Sequence, residues 1–321
     1  MDRYPGGDEI TIGELGEFGL IARVAARFPQ GAASLLGPGD DAAVVAAPDG
    51  RVVATTDLLV DGRHFRRDWS SAYDIGRKAA AQNLADVAAM GAVPTALLVG
   101  LAAPPDVAAF WAERLADGLR EECDVAGASV VGGDTVRSDV LTIAVTALGD
   151  LQGRAPVTRA GAKPGDVVAV AGRLGWAAAG LAALRRGFRT PKAVVDAHRR
   201  PEPPYAAGPA AAVLGANAMC DVSDGLIADL AHIAEASEVR IDIDSSALTV
   251  PDVLVEVGSA LGSHPLDWVL TGGDDHAIAA TFPAATVLSG EWLVIGEVAE
   301  GSGVRVDGVE RSGGGFDHFR Q

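Results

Sequence analysis

Three observations predict a two-domain protein of the α/β (α+β) class. The chain has 321 residues, long for one domain, and two domains of roughly 150 residues each are the default. Apolar β-like runs and separate helical segments occur in both halves, as mixed layers of sheet and helix require. Between the halves, residues 150–166 ("DLQGRAPVTRAGAKPGD") are rich in Gly, Pro and polar residues, which sets domains of 1–150 and 151–321. With 49% apolar and 21% charged residues the balance is that of a folded globular chain. Forty glycines against 5% aromatics predict backbones that approach closely.

The elements follow in order. Residues 14–28 ("ELGEFGLIARVAARF") have helical spacing, with Leu15, Phe18, Leu20, Ile21 and Val24 toward one side. Two β-like runs come next, "AAVVAA" and "RVVATTD", and then a long small-residue helix over about 72–90, ended by Gly91 and Pro94. "TALLVGL" reads as a strand, 106–122 as an amphipathic helix, and "ASVVGGDT" and "LTIAVTALGD" as strands. The second half begins again with a strand ("VVAVAG") and a helix at 176–186, while the proline-containing stretch 187–209 reads as a surface excursion. The strand "AMCDVS", a helix at 225–237 and the strands "VRIDID", "DWVLTG", "AIAATF" and "EWLVIGEV" complete the reading. No repeat of 20–50 residues is evident.

Composition excludes some partners. The formal charge of −17 leaves no basic stripe for nucleic acid or an anionic membrane surface. Cys123 and Cys220 form no CxxC, which speaks for a reducing compartment and against structural zinc. "MDRYPGGDEI" has neither a basic nor an apolar leader region, and the longest apolar stretch is broken by proline, so a cytoplasmic protein is expected.

The placement of aspartates carries the chemistry. Asp41 in "GPGDDAAVV", Asp57 in "VVATTDLLVDGRHF", Asp134 in "VVGGDT", Asp221 and Asp224 in "MCDVSDGL", and Asp274 and Asp275 in "VLTGGDDH" stand where apolar runs meet glycine or a helix. Asp86 lies inside the Ala-rich helix, where a charge needs a partner. Singly, the Asp-Asp pairs serve as turn residues, and Ser223 or Asp224 as a helix cap worth ~1 kcal/mol. Jointly, carboxylates ~4 Å apart repel by about 4 kcal/mol at an effective dielectric near 20, so a shared cleft requires cations. Carboxylates with Thr and Ser hydroxyls select hard Mg²⁺ or Ca²⁺, and without an Asp-x-Asp-x-Asp-Gly loop magnesium is favoured. Magnesium held by a few carboxylates completes its shell with phosphate oxygens and water. Glycine amides, the helix start after Ser223, and Arg137 and Arg159 supply direct phosphate donors. Neither a GxxxxGK[ST] loop nor the HRD and DFG kinase pair is present.

The ordered set "GDDAAVV", "TTDLLVDGRHF", "NLADVAAMGA", "GGDTVR", "RAGAKPGD", "DVSDGL", "TGGDDHAI" and "GFDHF" closely resembles the thiamine-monophosphate kinases, of the superfamily that includes aminoimidazole ribonucleotide synthetase. The resemblance covers nearly the whole chain. It implies ATP- and Mg²⁺-dependent phosphorylation of thiamine monophosphate to thiamine diphosphate by direct in-line transfer, the last step of thiamine diphosphate biosynthesis. It also implies a homodimer with a β-barrel shared between N-terminal domains. Those N-terminal domains, at 1–150, would bind metal and ATP. The C-terminal domain, at 151–321, would complete an active-site cleft between the two. Several Mg²⁺ ions would fall on Asp41, Thr55, Thr56, Asp57, Asp86, Asp134, Asp221 and Asp224. ATP contacts carry over onto Gly133, Asp134, Arg159 and Ser223, and substrate contacts onto His64, Asp274 and the C-terminal Phe316. The acceptor is an ionised phosphate oxygen, so no general base is assigned. One departure is "GGDDHAI" where the family has "GGEDYEL", which shortens the acid at Asp274 and puts His276 in place of a phenol. The other histidines, His198 included, read as structural. A selenophosphate synthetase would carry an early Cys and Lys, but no Cys precedes residue 123 and no Lys residue 78. A non-catalytic nucleotide sensor is the rival from another class.

Overall fold

The structure, a computed structural model, describes residues 10–38 and 42–311. It divides into two compact units, one holding the chain up to Val87 with Val93–Gln152, the other Ala88–Ala92 with the chain from Gly153 onward. The helices of the first half are α1 (Ile12–Leu15), α2 (Glu17–Ala25), α3 (Ala72–Ala89) and α4 (Ala109–Ala126). Its strands are β1 (Ser34–Leu36), β2 (Val44–Val45), β3 (Val53–Val60), β4 (Val93–Ala103), β5 (Ser129–Arg137) and β6 (Thr142–Asp150). The second half contributes helices α5 (Trp176–Arg185), α6 (Lys192–Arg199), α7 (Ala207–Leu214), α8 (Leu226–Ser237), α9 (Asp252–Leu261) and α10 (Pro265–Thr271). Its strands are β7 (Asp166–Ala171), β8 (Ala218–Val222), β9 (Arg240–Ile243), β10 (Ala277–Pro283), β11 (Trp292–Ala299), β12 (Gly303–Val306) and β13 (Val309–Arg311).

In the first unit a four-stranded sheet runs β3-β6-β4-β5, with β4 and β5 parallel and the other pairs antiparallel. Alternation along the strands buries Leu59, Leu97, Ile143 and Val145 on one face. The same pleat turns Leu58, Leu98 and Val136 outward on the other, at 55%, 38% and 53% exposure. Helix α3 is buried along most of its length, its core being Ala79, Ala80, Ala81, Leu84 and Val87. It crosses α4 at Gly76 and Gly118, where an added Cβ would lie 2.1 Å from the Leu115 and Tyr73 carbonyl oxygens. The expected close approach of backbones is realised there.

The second unit is built on a seven-stranded sheet, β13-β12-β9-β11-β7-β10-β8, antiparallel except for β9 with β12. Strand β10 is buried from Ala277 to Phe282, so it is apolar on both faces. Helix α8 packs against β8, β9 and β12, and α5, α6, α9 and α10 pack on one another.

Three local expectations are corrected. The helix over 14–28 breaks at Gly16 (φ 75°), and the break leaves Leu20 buried but Phe18 82% exposed. A Thr11–Glu14 capping box starts α1 instead. The stretch "DWVLTG" is not a strand but lies in α10, where Pro265 stands at the helix start and Asp267 in its first turn. A short apolar run cannot separate the two by period alone. Residues 187–209 hold α6, whose Val194, Val195 and His198 are buried, and the first residues of α7. Among the described residues no helix is long and apolar enough to cross a membrane.

Candidate functional site

In the first unit, "TTD" lies on β3, so the pleat sends consecutive side chains to opposite faces. Thr55 and Asp57 turn toward α3. The Thr55 hydroxyl donates to Asp86 Oδ2 at 2.8 Å, and Gln82 Nε2 donates to Asp57 Oδ2 at 3.2 Å. The Asp57 amide donates to Asn83 Oδ1 at 3.0 Å, and the buried Asn83 is itself anchored to the Ala79 carbonyl at 2.9 Å. Gln82, Asn83 and Asp86 share one face of α3 by their i, i+3 and i+4 spacing. Thr55, Asp57 and Asp86 are thereby brought together.

Thr56 faces the other way, donating to the Val145 carbonyl at 3.0 Å and accepting from the Thr146 hydroxyl at 3.2 Å. Asp134 is on that same open face, because the cross-sheet row reads Leu58, Ala144, Gly100, Asp134. It is exposed and accepts from the Thr135 amide at 2.8 Å. At Gly133 an added Cβ would lie 2.0 Å from the Val99 carbonyl oxygen, so strand packing alone demands glycine there. His64 follows β3 in a tight turn, and its Nδ1 accepts from the Val60 amide at 2.9 Å. A neutral ring therefore carries its proton on Nε2. Asp41 and Phe316 lie outside the described residues.

In the second unit the candidates occupy two interlocked loops. The Asp274 amide donates to the Ser223 carbonyl at 2.8 Å and the His276 amide to the Val222 carbonyl at 3.1 Å. Added Cβ atoms would sit 2.2 Å from the Ser223 oxygen at Gly273 and 2.6 Å from the Thr271 oxygen at Gly225. Asp221, Ser223, Asp224 and Asp274 are brought together by this arrangement. Asp221 is buried at the end of β8, with its Oδ2 3.0 Å from His276 Nδ1. Asp274 Oδ2 lies 3.7 Å from Nδ1 of the buried His198. Arg159 has an exposed side chain, and its carbonyl accepts from the Ser237 hydroxyl at 2.9 Å.

Neither Ser223 nor Asp224 caps α8. Gly225 holds the cap position, and Asp229 reaches back from the first turn, its Oδ2 accepting from the Asp224 and Gly225 amides at 3.0 Å each. Asp275 plays the matching part for α5, its Oδ1 accepting from the Ala177 amide at 2.9 Å. Burial pushes both acids up to about 7, aided at Asp229 by the charge of Asp221 and opposed at Asp275 by the Ala177 bond. Sequence reasoning missed Asn83, Gln82, Asp229 and His198 as neighbours of the candidates. Asp229 had a signal, one helical turn beyond Gly225, and His198 had none.

The donors are carboxylate and hydroxyl oxygens, a set that suits magnesium rather than softer metals. Among the described residues no three His, Cys, Asp or Glu side chains gather closely enough to hold an ion.

Residues 39–151 match the AIR synthase related protein N-terminal domain family and residues 163–308 the C-terminal domain family. The chain is 52% identical over 305 residues to a thiamine-monophosphate kinase of Mycobacterium tuberculosis, covering 94% of this chain and 91% of that protein. A crystal structure of thiamine-monophosphate kinase from Stenotrophomonas maltophilia is 35% identical, covers 91% of this chain and 96% of its own, and superposes with a TM-score of 0.80. AaThiL complexed with AMPPCP and TMP is 34% identical, covers 95% and 98%, and gives a TM-score of 0.80.

Proposed function

This chain belongs to the thiamine-monophosphate kinase family, and we propose on that premise that it phosphorylates thiamine monophosphate with ATP. A terminal phosphate oxygen of the acceptor attacks the γ-phosphorus of ATP in line, the bond to the bridging oxygen breaks, and ADP and thiamine diphosphate leave. The observation that carries this reading is the 52% identity to the Mycobacterium tuberculosis relative over 94% of this chain and 91% of that protein. An ionised phosphate oxygen needs no proton removed, so alignment and charge neutralisation are the tasks left to the protein.

The chain's residues divide those tasks. Asp41, Thr55, Thr56, Asp57, Asp86, Asp134, Asp221 and Asp224 would hold magnesium, Thr56 and Asp134 from the open face of the sheet, and the metal would supply screening of the charges of two anionic reactants. Gly133, Asp134, Arg159 and Ser223 contact ATP. His64, whose Nδ1 accepts from the Val60 amide, contacts the acceptor, as do Asp274 and Phe316. Domain 1–150 serves metal and nucleotide, domain 151–321 completes the machinery, and both acidic sets serve one reaction. The setting is cytoplasmic.

The functional unit is a homodimer joined through the open face of the β3-β6-β4-β5 sheet. Leu58, Leu98 and Val136 are exposed there, an apolar stripe that a second copy would cover as a shared barrel closes. Light scattering on Leu98→Asp/Val136→Asp should give the monomer mass where the unmodified protein gives twice that mass. A double variant that stays dimeric would move the interface elsewhere.

The activity is tested by incubating the protein with ATP, Mg²⁺ and thiamine monophosphate. Equal amounts of ADP and thiamine diphosphate are expected. ADP with free phosphate, or binding without turnover, would overturn the kinase reading in favour of a hydrolase or a sensor.

A further inference from the structure

The geometry points to His276 as a positioning residue that aims the Asp221 carboxylate at magnesium. This rests on the reading of Asp221 as a metal-holding residue. His276 Nδ1 and Asp221 Oδ2 are 3.0 Å apart, and both residues are only 5% exposed. In its ionised form, the one that would hold magnesium, the carboxylate only accepts, so in that form Nδ1 would be the donor and the acid would set the ring's tautomer. The bond engages one carboxylate oxygen and fixes the plane in which the other is presented. Partners of this kind, one step removed from the metal, tune its affinity.

The backbone argues that this placement is specified. Asp221 stands in β8, and His276 immediately precedes β10, which pairs with β8 through Ala277 and Val222. His276 itself has φ 53°, in the left-handed region that is uncommon for non-glycine residues, although His, Asn and Asp adopt it more readily than the rest. It is held there by its amide bond to the Val222 carbonyl at 3.1 Å. Strain of this sort persists where surrounding contacts over-determine it, and it clusters at working sites. Simple core filling would not require the bond between the ring and the carboxylate.

Two substitutions separate donation from bulk. His276→Phe keeps a ring and loses the donor. His276→Asn tolerates the left-handed backbone and returns an N–H near the Nδ1 position. The readouts are the Mg²⁺ concentration for half-maximal turnover and the rise in Tm caused by Mg²⁺ alone, measured against the Tm in EDTA. His276→Phe should need about 10- to 100-fold more Mg²⁺ and lose the Mg²⁺-induced rise, while its EDTA Tm stays within a few degrees. His276→Asn should recover most of both. Asp221→Ala is the reference. If Asp221→Ala raises the Mg²⁺ requirement and His276→Phe does not, the positioning role is wrong and the reading of Asp221 stands. If Asp221→Ala leaves the requirement unchanged, that reading falls and takes the proposal with it. Should the Phe variant fail to fold, His276→Ala is compared with His276→Asn by the same measures, and equal Mg²⁺ requirements for the two would overturn the proposal.

Discussion

Asp57 and Asp86 of the first unit stand on regular elements and meet other side chains, whereas Asp224 and Asp274 of the second stand in loops tied by backbone. Asp57 and Asp86 are half-buried; Asp57 meets Gln82 and Asn83, and Asp86 accepts from Thr55. Asp224 and Asp274 sit in two loops tied by main-chain bonds, with Asp221 in β8 just before the first of them, and two further acids, Asp229 and Asp275, hold those loops to helix starts. The difference separates two uses of one residue type. A carboxylate held by side-chain donors on a half-exposed face can still turn an oxygen to a ligand. A carboxylate buried against backbone amides spends its oxygens inside the fold, and burial favours its neutral form.

The same substitution should therefore have opposite effects in the two places. Asp86→Asn still accepts from the Thr55 hydroxyl but loses the charge, so turnover should fall by about 10²–10³-fold or more while Tm changes little. Steady-state kinetics beside a thermal melt measures both, and unchanged activity would sink the metal role of Asp86. Asp229→Asn retains an oxygen for the Asp224 and Gly225 amides, so it should keep activity within several-fold. Asp229→Ala leaves those two amides without their acceptor, at roughly 1–3 kcal/mol for each that stays dry, and should lower both Tm and turnover. An Asn variant as inactive as the Ala variant would erase the distinction between ligating and scaffolding acids.

This distinction also marks where the sequence was legible. Strands β3, β4, β5 and β6 and helices α3, α4, α5 and α8 could be read because their periods and caps are local. The short helix α10 could not, since "DWVLTG" suits strand and helix equally until packing decides. The candidate acids were legible as a set, by their recurrence at the ends of apolar runs. Their division of labour was not, because Asp274 and Asp275 are identical neighbours in "GGDD" and only burial tells them apart, one half-buried beside His198 and the other 4% exposed under α5. Thr55 and Thr56 differ likewise by the pleat alone, and the face each meets depends on which side of the sheet the helix covers.

The smallest effect is also the one that isolates burial from ligation. Asp275 has a folded-state pKa of about 7 against an ordinary value of 3.8, so the folded protein holds a proton there that the unfolded chain has released. The stability contributed by that proton is complete below about pH 4 and is lost as pH rises through about 7. The span corresponds to on the order of 4 kcal/mol at most, using ~1.4 kcal/mol per unit. Asp229 contributes with the same sign, so unmodified protein should lose stability toward urea between pH 5 and pH 8 through both acids. Asp275→Asn keeps an oxygen for the Ala177 amide and cannot ionise, so its urea midpoint should fall less over that interval. Its kinetics at saturating Mg²⁺ should be close to normal. A midpoint that falls as steeply in the variant would mean that Asp275 stays charged in the fold, and burial would then no longer separate it from its neighbour Asp274.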